Sequence, residues 1–310
     1  MSSINIFEVW RRTTGDPRAV IAFVDSGIDY KNADLKRNLW VNSKEIPNDG
    51  IDNDHNGFVD DTIGWNYVNG KWGKGNNDPM DRAGHGTFTA GIAVAEANNG
   101  NGGVGVCPRC SVMAVRFLNS DGMGDTEDAI HGIYFAIRNG ARVLNLSFAG
   151  EGFDRDLYDA VATAAKYNIV VVAAAGNDGS NNDYESVYPA NIRLPNVITV
   201  AATDPQGKLW ENSDYGFKNV DVAAPGTDIP GPWLKGEWDT GNGTSLSAPI
   251  VSAVAGLMIS INPKLTAPQI VHIIKKTVTK SKYLQHKVSS EGVINAEAAV
   301  RCAATGDCVR

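Results

Sequence analysis

Gly241-Asn242-Gly243-Thr244-Ser245-Leu246-Ser247-Ala248-Pro249 is the stretch from which the rest of the chain can be read. It joins a glycine-bracketed hydroxyl to a long apolar segment that runs to about Ile261. Glycines let a backbone approach a ligand closely, and Pro249 lies early in the run, where a first helical turn tolerates a missing N–H. Ser245 therefore reads as the first residue of a buried helix, with free N–H groups and the positive end of the helix dipole beside its oxygen. That setting suits a serine whose attack on a carbonyl creates an oxyanion. A glycine loop followed by an ordinary capping serine satisfies the same letters, so the remaining segments must decide.

Continuous apolar runs at 19–24, 112–117, 143–146, 169–175, 197–202 and 220–223 read as buried strands. Helix-like segments at 87–97, 126–138 and 157–167 fall between several of them. This alternation implies an α/β fold: a mostly parallel central sheet with helices on both faces. The C-terminal third reads as helical at 247–261, 267–278 and 296–304. Ligands of such sheets bind beyond the carboxyl ends of the strands, where Asp25, Ser147 and Asn177 fall. No repeat, linker or composition break divides the 310 residues, so a single domain is expected.

Net charge is −7 and no basic block stands out, which removes the electrostatic drive for nucleic-acid binding. No apolar run approaches the roughly 18 residues that span a bilayer, so no membrane span is expected. The start, Met1-Ser2-Ser3-Ile4-Asn5, lacks a signal-peptide pattern. Four cysteines, Cys107, Cys110, Cys302 and Cys308, allow three pairings that sequence cannot choose among. Zinc suits a C-x-x-C, but the second pair is spaced wrongly; structural disulfides are preferred.

Residues 38–80 read as a long Asn-, Asp- and Gly-rich loop. Within it Asp52-Asn53-Asp54-His55-Asn56-Gly57-Phe58-Val59-Asp60-Asp61 sets oxygen side chains at alternate positions, the first half of an EF-hand-type calcium loop. Asp52, Asp54 and Asn56 would ligate by side chain, Phe58 by its carbonyl, and Asp60 or Asp61 from the far side. A solvated acidic loop is the simpler alternative.

Nucleophilic catalysis at Ser245 needs a base, an orienting acid and an oxyanion site. Of five histidines only His85 sits between glycines and opens a helix. Asp25 at its strand end is the candidate acid, and Asn177, with the Ser245 N–H, the candidate oxyanion donor. Each has a plain structural alternative; together they form a pattern.

The order Asp…His…Ser, with Val24-Asp25-Ser26-Gly27, Gly84-His85-Gly86-Thr87, Ala174-Ala175-Gly176-Asn177 and Asn242-Gly243-Thr244-Ser245, resembles the subtilisin-like serine endopeptidases. The likeness runs from about Phe7 to Val300 and includes parasite enzymes with a DxDxNG insertion. It implies a three-layer fold, the triad Asp25, His85 and Ser245, an oxyanion hole at Asn177, and protein or peptide substrates. The substrate would pair as an added strand with Ser147, Phe148, Ala149 and Gly150 and with Gly122, Met123 and Gly124. Phe148 replaces a common leucine and would narrow the primary pocket. Asp178 and Glu185 could favour a basic side chain there, or Val187 could fill its floor. The resemblance also implies a calcium loop with Asp34, Asn99 and the carbonyls of Ala97, Asn101 and Gly103. With the DxDxNG loop, two or more structural Ca2+ sites are expected. Subtilisin-like enzymes are exported with an inhibitory propeptide; neither it nor a signal is evident, so the chain reads as a secreted, mature domain. The alternatives are a catalytically silent calcium-dependent binding module, and an esterase or lipase, which would carry Gly-x-Ser-x-Gly.

Overall fold

The computed structural model describes residues 2–70 and 73–308. In chain order the first half contains α1 (Ile6–Trp10), β1 (Val20–Asp25), β2 (Gly64–Asn66), α2 (His85–Val94), β3 (Ser111–Arg116), α3 (Thr126–Arg138), β4 (Val143–Leu146), β5 (Gly150–Glu151) and α4 (Arg155–Lys166). The second half contains β6 (Val170–Ala174), β7 (Val187–Tyr188), β8 (Val197–Thr203), β9 (Val222–Pro225), β10 (Ile229–Pro232), β11 (Trp238–Gly241), α5 (Thr244–Ile261), α6 (Ala267–Lys276), β12 (Thr279–Lys280), β13 (Gly292–Val293) and α7 (Ala296–Thr305).

Nine strands form one sheet in the order β12-β13-β9-β8-β6-β4-β1-β3-β2. Every pairing in it is parallel except β12 with β13. Alternate residues of each strand point to opposite faces, and the two cores divide accordingly. Ile21, Phe23, Val112, Ala114 and Val172 pack under α1, α2, α5, α6 and α7. Val20, Ala22, Val24, Met113 and Val115 pack under α3 and α4. This is the expected three-layer arrangement.

Two expectations change. Residues 38–80 are not loop throughout: Leu39 bridges to Val112, β2 adds an edge strand beside β3, and Trp65 and Tyr67 are buried. Their sparse apolar residues are those that dock the insertion on the sheet. Helix α5, moreover, is 18 residues long and apolar enough to cross a membrane, although no such run was expected. Its serines, glycine and proline interrupt the run without lowering its average below that threshold. It is a core helix, with 83% of it buried inside the protein.

Pro249 sits in the second turn of α5. Its missing N–H leaves the Ser245 carbonyl without an intrahelical partner. The Ser147 hydroxyl supplies one, donating to that carbonyl at 2.9 Å. The cysteines pair locally, Cys107 with Cys110 and Cys302 with Cys308.

Candidate active site

Asp25 ends β1 and is 1% exposed. Its Oδ1 accepts from the Ser26 N–H at 2.7 Å and lies 2.8 Å from His85 Nδ1. The carboxylate accepts, so Nδ1 carries the proton and Nε2 is left as the basic nitrogen. Burial opposes charging of His85, but attraction and hydrogen bonding from Asp25, with Asp81 behind it, outweigh burial and raise its pKa above 6.5. The His85 side chain is 33% exposed, so Nε2 has a route to the cleft.

Asp81 went unnoticed in the sequence. Its Oδ1 accepts from Ser26 Oγ and from the Ala83 and Gly84 N–H groups, and its Oδ2 from the Thr87 N–H and Oγ1. One buried carboxylate thus ties the end of β1 to the turn that starts α2. The only sequence signal was an acid four residues before the histidine.

Ser245 is the second residue of α5, one later than expected, and is half-buried. Its Oγ and its backbone N–H have no hydrogen-bond partner among the described residues, and no bond joins Oγ to His85. Such bonds often tighten only when substrate is bound. A Cβ on Gly243 would stand 3.1 Å from Ser245 Oγ and 3.7 Å from Asn177 Oδ1, so glycine keeps the space between them open. Asn177 Oδ1 accepts from the Thr244 N–H at 2.9 Å and from Thr244 Oγ1 at 3.0 Å. With the oxygen so engaged, Nδ2 has no hydrogen-bond partner among the described residues. Two N–H donors, from Asn177 and Ser245, therefore stand unpaired at the N-terminus of α5, where the dipole favours negative charge.

His85 lines a cleft of about 760 Å³ together with Ser147, Phe148, Ala149, Gly150, Gly122, Met123 and Gly124. All seven expected wall residues thus face one space. Phe148 also packs edge-on against Phe117, with centroids 4.9 Å apart, and belongs partly to the core. Asp178, Glu185 and Val187 are not on the lining; Tyr188, Glu151 and Asp154 are. Strand β5 pairs antiparallel with β7, Gly150 opposite Tyr188, and this brings the tyrosine to the wall.

The two oxygen-rich loops differ. Carboxylate oxygens of Glu45, Asp52 and Asp54 lie within 4.8 Å of one another, an acidic cluster that could hold a metal ion. Glu45 was missed, since nothing in Ser43-Lys44-Glu45 marks it as more than a surface acid. Asp60 turns away and accepts from the Asp49 and Gly50 N–H groups. Asp61 accepts from the Asn42 and Asn56 amides, and Phe58 packs its ring on Trp65 and Phe135. Burial, partly offset by those amides, lifts the Asp61 pKa to about 6. In the other loop Asp34 Oδ1 accepts from Asn99 Nδ2 at 2.6 Å and Oδ2 from the Trp238 indole at 3.2 Å. Trp238, on β11, lies against Gly102 and Gly103, so both Asp34 oxygens are already bonded by protein. The Ala97, Asn101 and Gly103 carbonyls belong to this loop.

The chain thus combines a mostly parallel sheet, an acid–imidazole pair at the end of β1, and a serine at the N-terminus of α5 whose carbonyl is held by Ser147 of the cleft wall. The sequence model of the subtilase family matches residues 16–293, and the chain belongs to that family. It is 37% identical, over 83% of its length, to the cell wall-associated protease of Bacillus subtilis (strain 168) and covers 25% of that protein. It is 35% identical, over 91% of its length, to subtilisin-like protease 1 of Plasmodium vivax, of which it covers 47%. It is 37% identical, over 81% of its length, to the thermophilic serine proteinase of Bacillus sp. (strain AK1), covering 54% of it. The chain thus spans a quarter to about half of these relatives. Among solved structures, a protease from Pseudoalteromonas arctica PAMC 21717 superimposes with a TM-score of 0.80 at 28% identity, covering 97% of this chain and 94% of that one.

Proposed function

We propose that the chain is one catalytic domain of a secreted, calcium-stabilised serine endopeptidase. The observation that carries this reading is the His85–Asp25 pair at 2.8 Å, on a cleft whose Ser147 also holds the carbonyl of Ser245 at the head of α5. Ser245 Oγ attacks the scissile carbonyl of an extended peptide seated along Ser147–Gly150 and Gly122–Gly124. His85 Nε2 takes the hydroxyl proton and returns it to the leaving amine, while Asp25 holds the tautomer and steadies the imidazolium. Asn177 Nδ2 and the Ser245 N–H receive the oxyanion. Loss of the side-chain donor costs about 10²–10³ in kcat, a magnitude known from subtilisin itself and not worked out from this structure. Water then repeats the cycle on the acyl-enzyme.

The donor set of Glu45, Asp52 and Asp54, all hard oxygen, fits calcium, which would neutralise their repulsion and brace the insertion. At Asp34 the donors fit only after the Asn99 amide turns over and Trp238 releases its oxygen. Secretion is supported by the cell-wall relative and by the paired cysteines.

Incubation with a fluorophosphonate probe and a peptide substrate tests the reading. Covalent labelling at Ser245 and cleavage lost in Ser245→Ala are expected. Folded protein that neither labels nor cleaves is instead a silent member of the family.

A further inference from the structure

The loop that presents Asn177 is gripped from beneath by a residue that the chemistry above does not use. Asp214 lies between β8 and β9 and is fully buried. Its N–H donates to the carbonyl of Gly176, the residue before Asn177, at 3.0 Å. Its Oδ1 accepts from the N–H groups of Asp178 at 2.9 Å and Ser180 at 2.8 Å, just after Asn177. The backbone is therefore pinned on both sides of Asn177 by one residue, while Asn177 itself is exposed.

The remaining oxygen of Asp214 makes the contact tighter. Gly176 has φ +115°, and a Cβ there would collide with Asp214 Oδ2, so carboxyl and glycine are in direct contact. That Oδ2 is buried and has no hydrogen-bond partner among the described residues. Burial, partly offset by the Ser180 and Asp178 amides and reinforced by the Asp178 and Glu185 carboxylates, raises the Asp214 pKa. Leaving a buried polar atom unpaired costs stability, so packing alone gives no reason for a carboxyl here.

We propose that Asp214 is a positioning residue of the oxyanion site, holding residues 176–180 so that the Asn177 amide stays aimed where negative charge develops. The proposal rests on the endopeptidase reading. Thr244 fixes the oxygen of the Asn177 side chain, and its Oγ1 lies 3.2 Å from both the N–H and the carbonyl of Gly176; the segment after Asn177 is held by Asp214, through the Asp178 and Ser180 N–H groups. Donors of this kind act only when held within a fraction of an ångström of the reacting oxygen.

A double-mutant cycle with rates normalised by active-site titration tests this. Asp214→Ala should lower kcat about 10²-fold, the scale of a one-ångström misplacement, with KM nearly unchanged. Asp214→Asn keeps the Oδ1 acceptor and should recover most of the loss. In an Asn177→Ala background Asp214→Ala should cost less than about two-fold, because the group it positions is gone. Equal losses in both backgrounds, a loss confined to KM, or no recovery with Asn overturns the proposal. If Asp214→Ala does not fold, Asp214→Ser enters the same cycle, since its shorter side chain cannot bridge both amides. Failure of the wild-type chain to label with fluorophosphonate would instead strike the endopeptidase reading.

Discussion

Calcium removal tests the insertion loop quantitatively. Glu45, Asp52 and Asp54 gather carboxylate oxygens within 4.8 Å of one another, where like charges repel. A cation bound only by the folded chain stabilises it by RT ln(1 + [Ca2+]/Kd), about 2.7 kcal/mol at a hundred-fold excess over Kd. An unfolding entropy of about 2.1 cal/mol/K per residue gives about 0.65 kcal/mol/K for 310 residues, so Tm should rise by about 4 °C. The assay is calorimetry on Ser245→Ala, which removes the proposed route to self-digestion, in saturating calcium and in EDTA. Glu45→Gln separates metal from scaffold. Its amide oxygen can still serve the Asn53 and Asp54 N–H groups, now 2.8 and 3.2 Å from Oε1. Its NH2 would face the Asp60 N–H, now 2.9 Å from Oε2. In EDTA the variant should lose about 1 kcal/mol for that hydrogen bond, less whatever relief of repulsion returns. In calcium it should lack most of the rise. Identical melting of Ser245→Ala in both solutions, or a full rise in Glu45→Gln, refutes the reasoning.

Four further outcomes are expected. Because Asp25 holds the His85 pKa above 6.5 and the rate needs neutral imidazole, kcat/KM should climb with pH through an apparent pKa above 6.5. Asp25→Asn leaves burial dominant, so the limb should move below 6.5 as the rate falls; an unmoved limb contradicts the assignment. The same pair stabilises the fold below the unfolded pKa of about 6.5, and that contribution disappears as pH rises through the raised folded value. Denaturant midpoints of Ser245→Ala with and without Asp25→Asn should therefore differ more at about pH 5.5 than at about pH 9. Leu246, 3% exposed beside Ser245, offers peroxide no thioether, whereas Met123 on the cleft wall is 64% exposed. Mass spectrometry should find Met123 oxidised with kcat intact; kcat lost through a change at residue 246 contradicts this. Asp221, 1% exposed, bonds Arg193, Lys275 and the Thr199 N–H. Asp221→Ala should cost about 2–3 kcal/mol in denaturant titration, less than the roughly 3–5 of a fully buried pair because both cations can regain water. A loss under about 0.5 kcal/mol would show the pair to be idle.

Legibility in the sequence followed the range of each signal. Strands β4 and β8 and helix α3 begin where periodicity sets them, because a doubly covered parallel strand must be apolar along its whole length. Asp25, His85, Asn177 and Ser245 could be singled out because each lies in a local motif that contains glycine, and of these the structure joins His85 to Asp25. Glu45 was not, since its role depends on a loop folding back over seven residues to Asp52. Trp238 was hidden for the same reason: it reaches Asp34 from the β10–β11 hairpin, 204 residues on. Asp60 looked like a ligand by alternation, but its φ of 56° and the two N–H groups of the Asp49–Gly50 turn make it a turn brace. Asp214 gave no signal, because what it holds comes from another strand end.

The proline in α5 has an outcome for how such a molecule can change. By withholding one amide hydrogen, it turns the carbonyl of residue 245 into a mooring for the hydroxyl of residue 147. Reshaping the wall to suit a new guest is therefore not free of Ser245: replacing that hydroxyl loosens both. Diversification of preference has its latitude farther along, at residues 148–151 and 188, where no such tether reaches the serine.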